Sequence, residues 1–364
     1  MSDIMEYKCP SCGGPMEFDS KTQKMKCPYC GTEMDVKNFQ DGQQEYQNGD
    51  HEKTDSGSWE AVGSGQWQEG EKEKMRVYSC KSCGGEIIAE ETTGATTCPF
   101  CGNRVVMKEQ FSGELRPDYL IPFKLDKKAA KEAYHRHLKG KKFLPKIFKQ
   151  ENHIDEIKGI YVPFWLFDAE VGANISYNAD RVRVWESGDI EYTEREHFEV
   201  QRAGNISFRN VPTDCSKKMD DALMESIEPY HFSDAVPFNP AYLAGYVADR
   251  YDVEKEQCIE RAKRRMKHST EIAFRDTVQG YHSVTPSHSN IHIVNAKYRY
   301  VLYPVWLLNT KWRGKKYIFA MNGQTGKMVG NLPMDKNAFW KYVGAWGIGI
   351  GAVLYALQWI IVLI

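Results

Sequence analysis

Apolar and polar residues alternate along several stretches in the middle of the chain. A period of two is typical of strands that bury one face. Between Gly and Asn turns it recurs over Ala169–Tyr177, Arg181–Glu186, Glu191–Gln201 and Asn205–Asn210. Further along, the segment 310–330 has turn residues at Gly314 and at Asn322-Gly323, which indicate another hairpin. These patterns predict a β-rich domain.

Two stretches have a helical period instead. Asp126 is an expected N-cap for a helix that ends at Gly140, and a second helix is expected from Val253 to about Ala273. Both are basic: residues 124–149 contain ten Lys or Arg against two acids, and a second basic run covers 261–267. A solvated helix face is the commonest reason for such runs. Attraction to an anionic membrane surface is the second, and nucleic-acid binding the third, because stacking aromatic residues are not interleaved.

A short motif occurs twice in this region. Residues 161–167 read YVPFWLF and residues 302–308 read LYPVWLL, followed by Asp168 and Asn309 respectively. Proline ahead of a tryptophan-centred apolar run is typical of a strand that enters a sheet at its edge. The repeat therefore predicts an α+β domain, over 113–335, built from two related β-rich halves with inserted helices.

The residues from Tyr342 to Ile364 carry no charged side chain. As a helix they would span about 34 Å, enough for a hydrocarbon core of ~30 Å. Trp340 and Lys341 precede the run, where interfacial residues are expected. The pattern predicts one transmembrane helix over 338–364, in contact with membrane lipid, and a single-pass cell-membrane location with the N-terminal bulk cytoplasmic. The alternative, a buried core helix, would normally carry a more polar face.

Eight of the ten cysteines form two copies of the pattern C-x2-C-x14-C-x2-C. Their flanks repeat as well, with YKCPSCGGPM and KCPYCG in the first copy and YSCKSCGGEI and TCPFCG in the second. The predicted metal ligands are Cys9, Cys12, Cys27, Cys30, Cys80, Cys83, Cys98 and Cys101. Four thiolates at this spacing suit tetrahedral Zn²⁺. We therefore expect two zinc ions, one in each ribbon of the rubredoxin or TFIIB type.

Two other uses of cysteine fit this pattern less well than metal binding does. The first is a disulfide framework. Cys-x-x-Cys pairs in a sequence without a signal peptide are more typical of a reducing compartment, where disulfides are rare. The second is a redox-active dithiol, which does not explain why the Cys-x-x-Cys pairs occur in sets of two. A closed site of four cysteines offers no open coordination position, so the expected role of the zinc is structural.

The fold class expected from these features is α+β and multidomain. It comprises zinc ribbon 1 over 1–37, a flexible acidic linker over 38–75, zinc ribbon 2 over 76–112, the α+β domain and the terminal helix. In the linker, Trp59 and Trp67 are the large apolar residues expected to dock onto a neighbouring surface.

Catalytic patterns are missing from the sequence. Cys215 and Cys258 are isolated, and His282, His288 and His292 lie in a segment that fits a loop leading into a strand better than a metal site. The sequence contains no Walker motif, nucleotide fingerprint or paired-carboxylate signature. We expect a protein that is not an enzyme and has no small-molecule substrate.

These residues also carry a family resemblance. The ribbons together with IPFKLDKKAA, GIYVPFWLFDA, FRNVPTDCSKKMDD and YPVWLLNTKWRGKKYIFAMNGQTGKMVG resemble bacterial membrane proteins with TFIIB-type zinc ribbons, the YdjG-like family. The resemblance covers nearly the whole chain. It implies a membrane platform encoded beside phage-shock protein A and flotillin-like paralogues, which recruits such a partner under membrane stress. It matches the eight cysteines as metal ligands and supplies no catalytic residue.

Two functions in different classes follow. The first is a membrane-anchored zinc-ribbon adaptor that recruits a cytoplasmic protein partner. The alternative is a membrane-tethered nucleic-acid-binding zinc-ribbon protein. The net charge of the chain is −1, and acidic residues balance the lysines around the first ribbon. A nearly neutral surface of this kind binds the phosphate groups of nucleic acid poorly. The adaptor is therefore favoured. A sensor of thiol oxidation or zinc supply is a third possibility.

Overall fold

The computed structural model describes residues 16–28, 32–34, 59–63, 65–67, 75–90, 98–101, 106–110, 115–154 and 156–363. Strands dominate it. In chain order they are β1 Glu17–Asp19, β2 Lys24–Lys26, β3 Glu33–Met34, β4 Glu60–Ala61, β5 Met75–Ser79, β6 Glu86–Glu90, β7 Val106–Gln110, β8 Tyr119–Leu120, β9 Lys158–Ser187, β10 Ile190–Asp214, β11 Val236–Pro237, β12 Val247–Asp249, β13 Ser283–Trp312, β14 Lys315–Asn322 and β15 Met328–Gly330.

The described part of the chain also contains α-helices and short 3-10 helices. The α-helices are α1 Lys127–Leu138, α2 Glu151–Ile154, α3 Asp221–Ser226, α4 Lys255–Asp276 and α5 Lys336–Leu363. Short 3-10 helices cover Lys146–Lys149, Phe232–Asp234 and Pro240–Leu243. The two basic helices predicted from the sequence are confirmed as α1 and α4. Asp126 caps α1 as expected, because its carboxylate accepts a hydrogen bond from Ala129 N at 2.9 Å.

One large sheet forms the body of the protein. It contains 12 strands, and its main path runs β11-β8-β13-β9-β12-β6-β5-β7, with β10 on β9 and β14 on β13. A separate sheet of 3 strands contains β1, β2 and β3. Side chains on both faces of the large sheet are buried near its centre. The run 160–167 therefore alternates between two apolar clusters, with Tyr161, Trp165 and Phe167 in one and Ile160, Val162, Phe164 and Leu166 in the other.

The repeated motif lies at the centre of this sheet. Strands β9 and β13 are antiparallel neighbours, and their register places Tyr161 opposite Pro304 and Pro163 opposite Leu302. On their outer sides, β9 pairs with β12 and β13 pairs with β8. The expectation that these prolines mark strands entering at a sheet edge is therefore wrong. The two copies are adjacent central strands of one sheet and not the starts of two β-rich halves.

The second ribbon is also part of the large sheet. Strand β6 pairs with β12 through Ile88 opposite Ala248, and β5 pairs with both β6 and β7. The predicted fold class, with a separate α+β domain of two halves, two small ribbons and a transmembrane helix, is therefore corrected. The described chain is mostly one large β-sheet, because the ribbon strands continue its hydrogen-bond ladder.

Both linker tryptophans pack on this body, as predicted. The Trp59 ring lies 5.1 Å from the Phe167 ring, and the Trp67 ring lies 5.8 Å from the Phe238 ring, both edge to face. Strand β4, directly after Trp59, pairs in parallel with β13. These parts of the segment 38–75 are thus held on the surface of the sheet.

Three strands are far longer than the rest and extend the sheet into an arm. Strands β9 and β13 have 30 residues each, about 100 Å of strand, and β10 has 25. Helix α4 packs along the base of the arm with a buried stripe at every fourth residue: Cys258, Ala262, Met266, Thr270 and Phe274. Beyond Asp180 the arm consists of the β9–β10 hairpin, closed by Gly188 with φ of +65°.

The C-terminal helix α5 does not support the predicted membrane span. Among the described helices, none is both long and apolar enough to cross a membrane. The predictions of a transmembrane helix over 338–364, of lipid contact and of a single-pass cell-membrane location are corrected accordingly, because the described residues give them no support.

Candidate metal centre

Four cysteines of the second ribbon come together at one point. The Sγ atoms of Cys80, Cys83, Cys98 and Cys101 all lie within 4.8 Å of one another. The Cys80–Cys101 pair is separated by 3.4 Å and the Cys83–Cys98 pair by 3.7 Å. A tetrahedral ion with Zn–S bonds of ~2.3 Å requires sulfur separations of about 3.8 Å. This cluster can therefore hold one metal ion, whereas a disulfide would need sulfurs ~2.0 Å apart.

The glycines after Cys83 shape the first half of the site. Gly84 has φ of +67°, a conformation that favours glycine, and its N–H donates to Cys80 O at 2.8 Å. The Cys80 N–H donates to Gly85 O at 2.8 Å and closes the turn. A Cβ atom on Gly85 would lie 3.0 Å from the Phe100 ring. Gly84 therefore allows the turn after Cys83, and Gly85 leaves room for Phe100 of the second Cys-x-x-Cys turn to pack closely.

The thiols lie in a poorly hydrated environment. Cys80 and Cys98 are buried, whereas Cys83 and Cys101 are half-buried. Burial raises the pKa of the Cys98 thiol, and it also raises the pKa of the Cys83 thiol. Thiolates here consequently need a cation beside them, and a metal ion must displace protons when it binds.

Each half of the site is attached to the core by a long-range hydrogen bond. The Lys218 ammonium donates to Cys83 O at 3.0 Å, and the Asn309 side-chain amide donates to Pro99 O. Phe100, between Cys98 and Cys101, is buried in the cluster that also contains Phe164. The metal site is therefore built against the central strands of the sheet.

Three charged groups lie around the cysteine cluster. Glu86, at the start of β6, forms an ion pair with Arg250 at 2.7 Å, which joins the ribbon to the end of β12. The Lys158 ammonium interacts with Cys98. Burial lowers the pKa of Lys158, while the neighbouring Cys98 acts in the opposite direction.

The first cysteine quartet is only partly within the described chain. Cys27 is buried, and its N–H donates to Thr32 O at 2.9 Å. Cys9, Cys12 and Cys30 lie outside the described residues. The sheet β1–β3 docks on the body, with Phe18 N donating to Ala244 O at 3.2 Å. A metal site in the first ribbon stays a prediction.

The other candidate residues from the sequence lie apart from the metal centre. His288 and His292 are on β13, where the sequence suggested a loop before a strand, and His282 Nδ1 accepts a hydrogen bond from Val182 N at 3.1 Å. Cys258 is buried, and its thiol donates to Asp214 O at 3.7 Å. Burial raises the pKa of the Cys215 thiol well above its usual range.

Sequence reasoning missed the two residues that attach the site to the core. Lys218 belongs to the motif FRNVPTDCSKKMDD, and Asn309 is the polar residue after the second copy of the repeat. Both positions were conspicuous in the sequence. Their contacts span 135 and 210 residues, however, so local patterns could not connect them to the cysteines.

Comparison with known proteins places the chain in a family. It is 35% identical over 331 residues to YdjG of Bacillus subtilis (strain 168), an alignment that covers 77% of this chain and 96% of the relative. The chain belongs to the YdjG family. This confirms the YdjG-like resemblance in its family assignment. YdjG itself is an uncharacterized protein, so membership assigns no activity. No family profile and no solved structure matches the chain.

Proposed function

We propose that this member of the YdjG family is a zinc-stabilised adaptor that binds a protein partner and carries out no chemistry of its own. The observation that carries the proposal is the closed quartet of Cys80, Cys83, Cys98 and Cys101. Four thiolates fill a tetrahedral coordination sphere, so an ion bound there has no position left for water or substrate. Its effect is then to fix two loops against the sheet.

Zinc is the metal that suits this donor set best. Thiolate ligands in tetrahedral geometry select Zn²⁺ over the oxygen-preferring cations. We extend the proposal to two zinc ions per chain, with Cys9, Cys12, Cys27 and Cys30 holding the second. Elemental analysis of the purified full chain, and the visible spectrum after Co²⁺ substitution, test the identity of the metal and the tetrahedral thiolate geometry.

The surface of the metal site suits contact with a protein. Lys81, Ser82 and Gly84 are exposed at the turn between the first two ligands, while the other side of that turn is held by Lys218. A docked zinc turn of this kind presents a rigid surface and loses little conformational entropy on binding. The family resemblance supplies the candidate partners, phage-shock protein A and flotillin-like paralogues.

The basic run in α4 argues against the nucleic-acid alternative. Arg261 forms ion pairs with Asp214 and Asp221, and the Arg265 guanidinium forms one with Glu228 at 2.7 Å. Side chains engaged within the protein contribute less to phosphate binding. The net charge of −1 adds no general attraction to nucleic acid.

A binding experiment on the full chain separates the two functions. The zinc-loaded protein is titrated with the phage-shock-protein-A-like and flotillin-like partners, and in parallel with single- and double-stranded DNA and RNA at ~150 mM salt. We expect micromolar or tighter binding to a protein partner, weakened by Cys98→Ser, with Cys215→Ser as the control. Tight nucleic-acid binding that weakens steeply with salt, without partner binding, would overturn the proposal.

A further inference from the structure

The outer end of the arm has an edge that no described strand covers. The ladder between β13 and β9 ends at Ser283 opposite Asp180, while β9 continues to Ser187. His282 follows directly in space, because its N–H donates to Asp180 O at 2.7 Å and its Nδ1 accepts from Val182 N at 3.1 Å. Beyond Val182, the β13 side of β9 has no neighbour within the described part of the chain.

The unpaired backbone groups on this edge can be assigned from the register. In an antiparallel ladder, successive residues direct their N–H and C=O groups to opposite sides of the strand. Asp180 and Val182 direct theirs toward the β13 side, so Val184 and Glu186 do the same. Such a row is a template for another strand. Neither proline nor lysine occurs in β9 between Val182 and Ser187 to block it.

The side chains at this edge are unusually apolar for an exposed hairpin. Val184 is 56% exposed, Trp185 47% and Ile190 59%. The Trp185 ring stacks on Tyr192 at 5.6 Å on one face, and Val184 lies on the other face, opposite Thr193. A two-stranded hairpin of this kind is marginally stable when it is alone, so the tip gains from an added strand.

The charges along the strand favour a copy of itself as that added strand. Arg181 and Arg183 lie at its beginning, whereas Glu186 and Asp189 lie at its end and in the turn. In an antiparallel pair of identical strands, the basic end of each copy therefore meets the acidic end of the other. A parallel arrangement would place like charges together.

A register with Val184 opposite Val184 of the second copy uses these features together. It places Arg183 opposite Trp185 of the second copy, where a cation–π contact is available. It also places Val182 opposite Glu186 of the second copy, and Arg195 is the hairpin partner of Val182 on the same face. Within one hairpin Glu186 lies directly opposite Glu191, an unfavourable pair of like charges, and Arg195 of the second copy, which pairs with Asp180 at 3.9 Å in its own chain, would bring a positive charge to the same face.

We propose that two copies of the chain associate through the outer edge of β9 over residues 182–186, in antiparallel orientation about Val184, with the His282 ring giving up the Val182 N–H to Glu186 O of the second copy. The pairing joins the two arms into one continuous sheet across the contact. This inference uses neither the metal centre nor the partner-binding function, so it can succeed or fail independently of them.

Cysteine cross-linking of the full-length protein tests the register. The Val184 residues of the two copies would form a hydrogen-bonded pair with Cα atoms about 5.5 Å apart, which is within the range for a disulfide. Val184→Cys should form a covalent dimer under mild oxidation. Thr193→Cys is the matched control on the same face, because Thr193 lies one strand further from the contact, about 14 Å from its counterpart. Cross-linking by Thr193→Cys, by both variants or by neither would overturn the proposal.

A second variant tests the backbone pairing by sedimentation. Val184→Pro removes an N–H from the outer edge only, where proline is tolerated, so the hairpin itself is preserved. We expect the dimer dissociation constant to rise about tenfold or more, because two symmetric hydrogen bonds are lost. Thr193→Ala serves as the control that keeps the wild-type constant. An unchanged dimer in Val184→Pro, or a wild-type chain that stays monomeric at high micromolar concentration, would refute the pairing.

Discussion

The side-chain ammonium of Lys218 donates a hydrogen bond to the main-chain carbonyl oxygen of Cys83, with 3.0 Å between Nζ and O. Lys218 lies between β10 and α3, whereas Cys83 lies in the metal-binding turn of the second ribbon. The contact therefore joins a ligand loop to the body of the sheet. Because its donor is charged, it is stronger than an ordinary side-chain hydrogen bond.

Loss of this contact should destabilise the protein without emptying the metal site. Lys218→Met keeps most of the side-chain volume and removes the donor, so we expect the free energy of unfolding to fall by about 1–2 kcal/mol. Metal content should be unchanged. Urea unfolding and elemental analysis provide the two readouts. Lys217→Met, at the exposed neighbouring position, should alter neither. Equal effects of the two substitutions would contradict the role given to Lys218.

Removal of one buried ligand should release the metal of the second ribbon. Cys98→Ser leaves three thiolates, and we expect about one ion per chain to be lost together with several kcal/mol of unfolding free energy. Cys215→Ser is the matched control, because Cys215 is equally buried and lies outside the quartet. Its metal content should equal that of the wild type. A Cys98→Ser protein with undiminished metal would exclude the quartet as the site.

Asp249 should make stability depend on pH. It is 2% exposed, its Oδ2 has no hydrogen-bond partner, and burial raises the pKa of its carboxyl to about 8. The folded state therefore keeps a proton that the unfolded state releases near pH ~4. The contribution of Asp249 to stability is fully present below that pH and is lost as the pH rises towards about 8, because the unfolded state binds fewer protons at this group over the interval.

The Asp249→Asn variant should remove most of this dependence. We expect it to resemble the wild type at about pH 4 and to exceed it at pH ~8, with a gap on the order of a few kcal/mol in the free energy of unfolding. Denaturant titrations between these pH values measure the gap. Asp276→Asn, at the exposed end of α4, is the control that keeps the wild-type profile. A constant difference across the pH range would argue against a protonated Asp249.

Local patterns in the sequence predicted several secondary-structure elements and the metal ligands of the second ribbon. The alternation over 181–186 and 191–201 predicted two strands, which form the hairpin at the tip of the arm, and the Asp126 cap predicted the start of α1. The spacing of Cys80 to Cys101 predicted a quartet that the fold does bring together. Each of these features depends on residues close in sequence, where period and spacing are informative.

Long-range pairing explains what the sequence did not reveal. The repeat at 161–167 and 302–308 looked like two halves, yet the copies pair with each other in the middle of one sheet. The second ribbon looked independent, yet Ile88 pairs with Ala248, 160 positions away in the chain. The alternation of apolar residues along a strand indicates which face is buried, but it does not indicate which strand lies beside it. Partners of this kind are chosen by the packing of the whole sheet.

The tryptophans of the segment 38–75 offer a test of how firmly that segment is held. Trp67 is half-buried against Phe238, with its ring at 90° and 5.8 Å, so Trp67→Ala should lower the free energy of unfolding by about 2 kcal/mol through lost apolar contact. Trp340→Ala is the control, because Trp340 is 67% exposed on α5, and it should change stability by no more than ~0.5 kcal/mol. Chemical denaturation of both variants gives the comparison. Equal stabilities would mean that the segment is loosely attached in solution, and the ribbons would then be linked by a flexible tether after all.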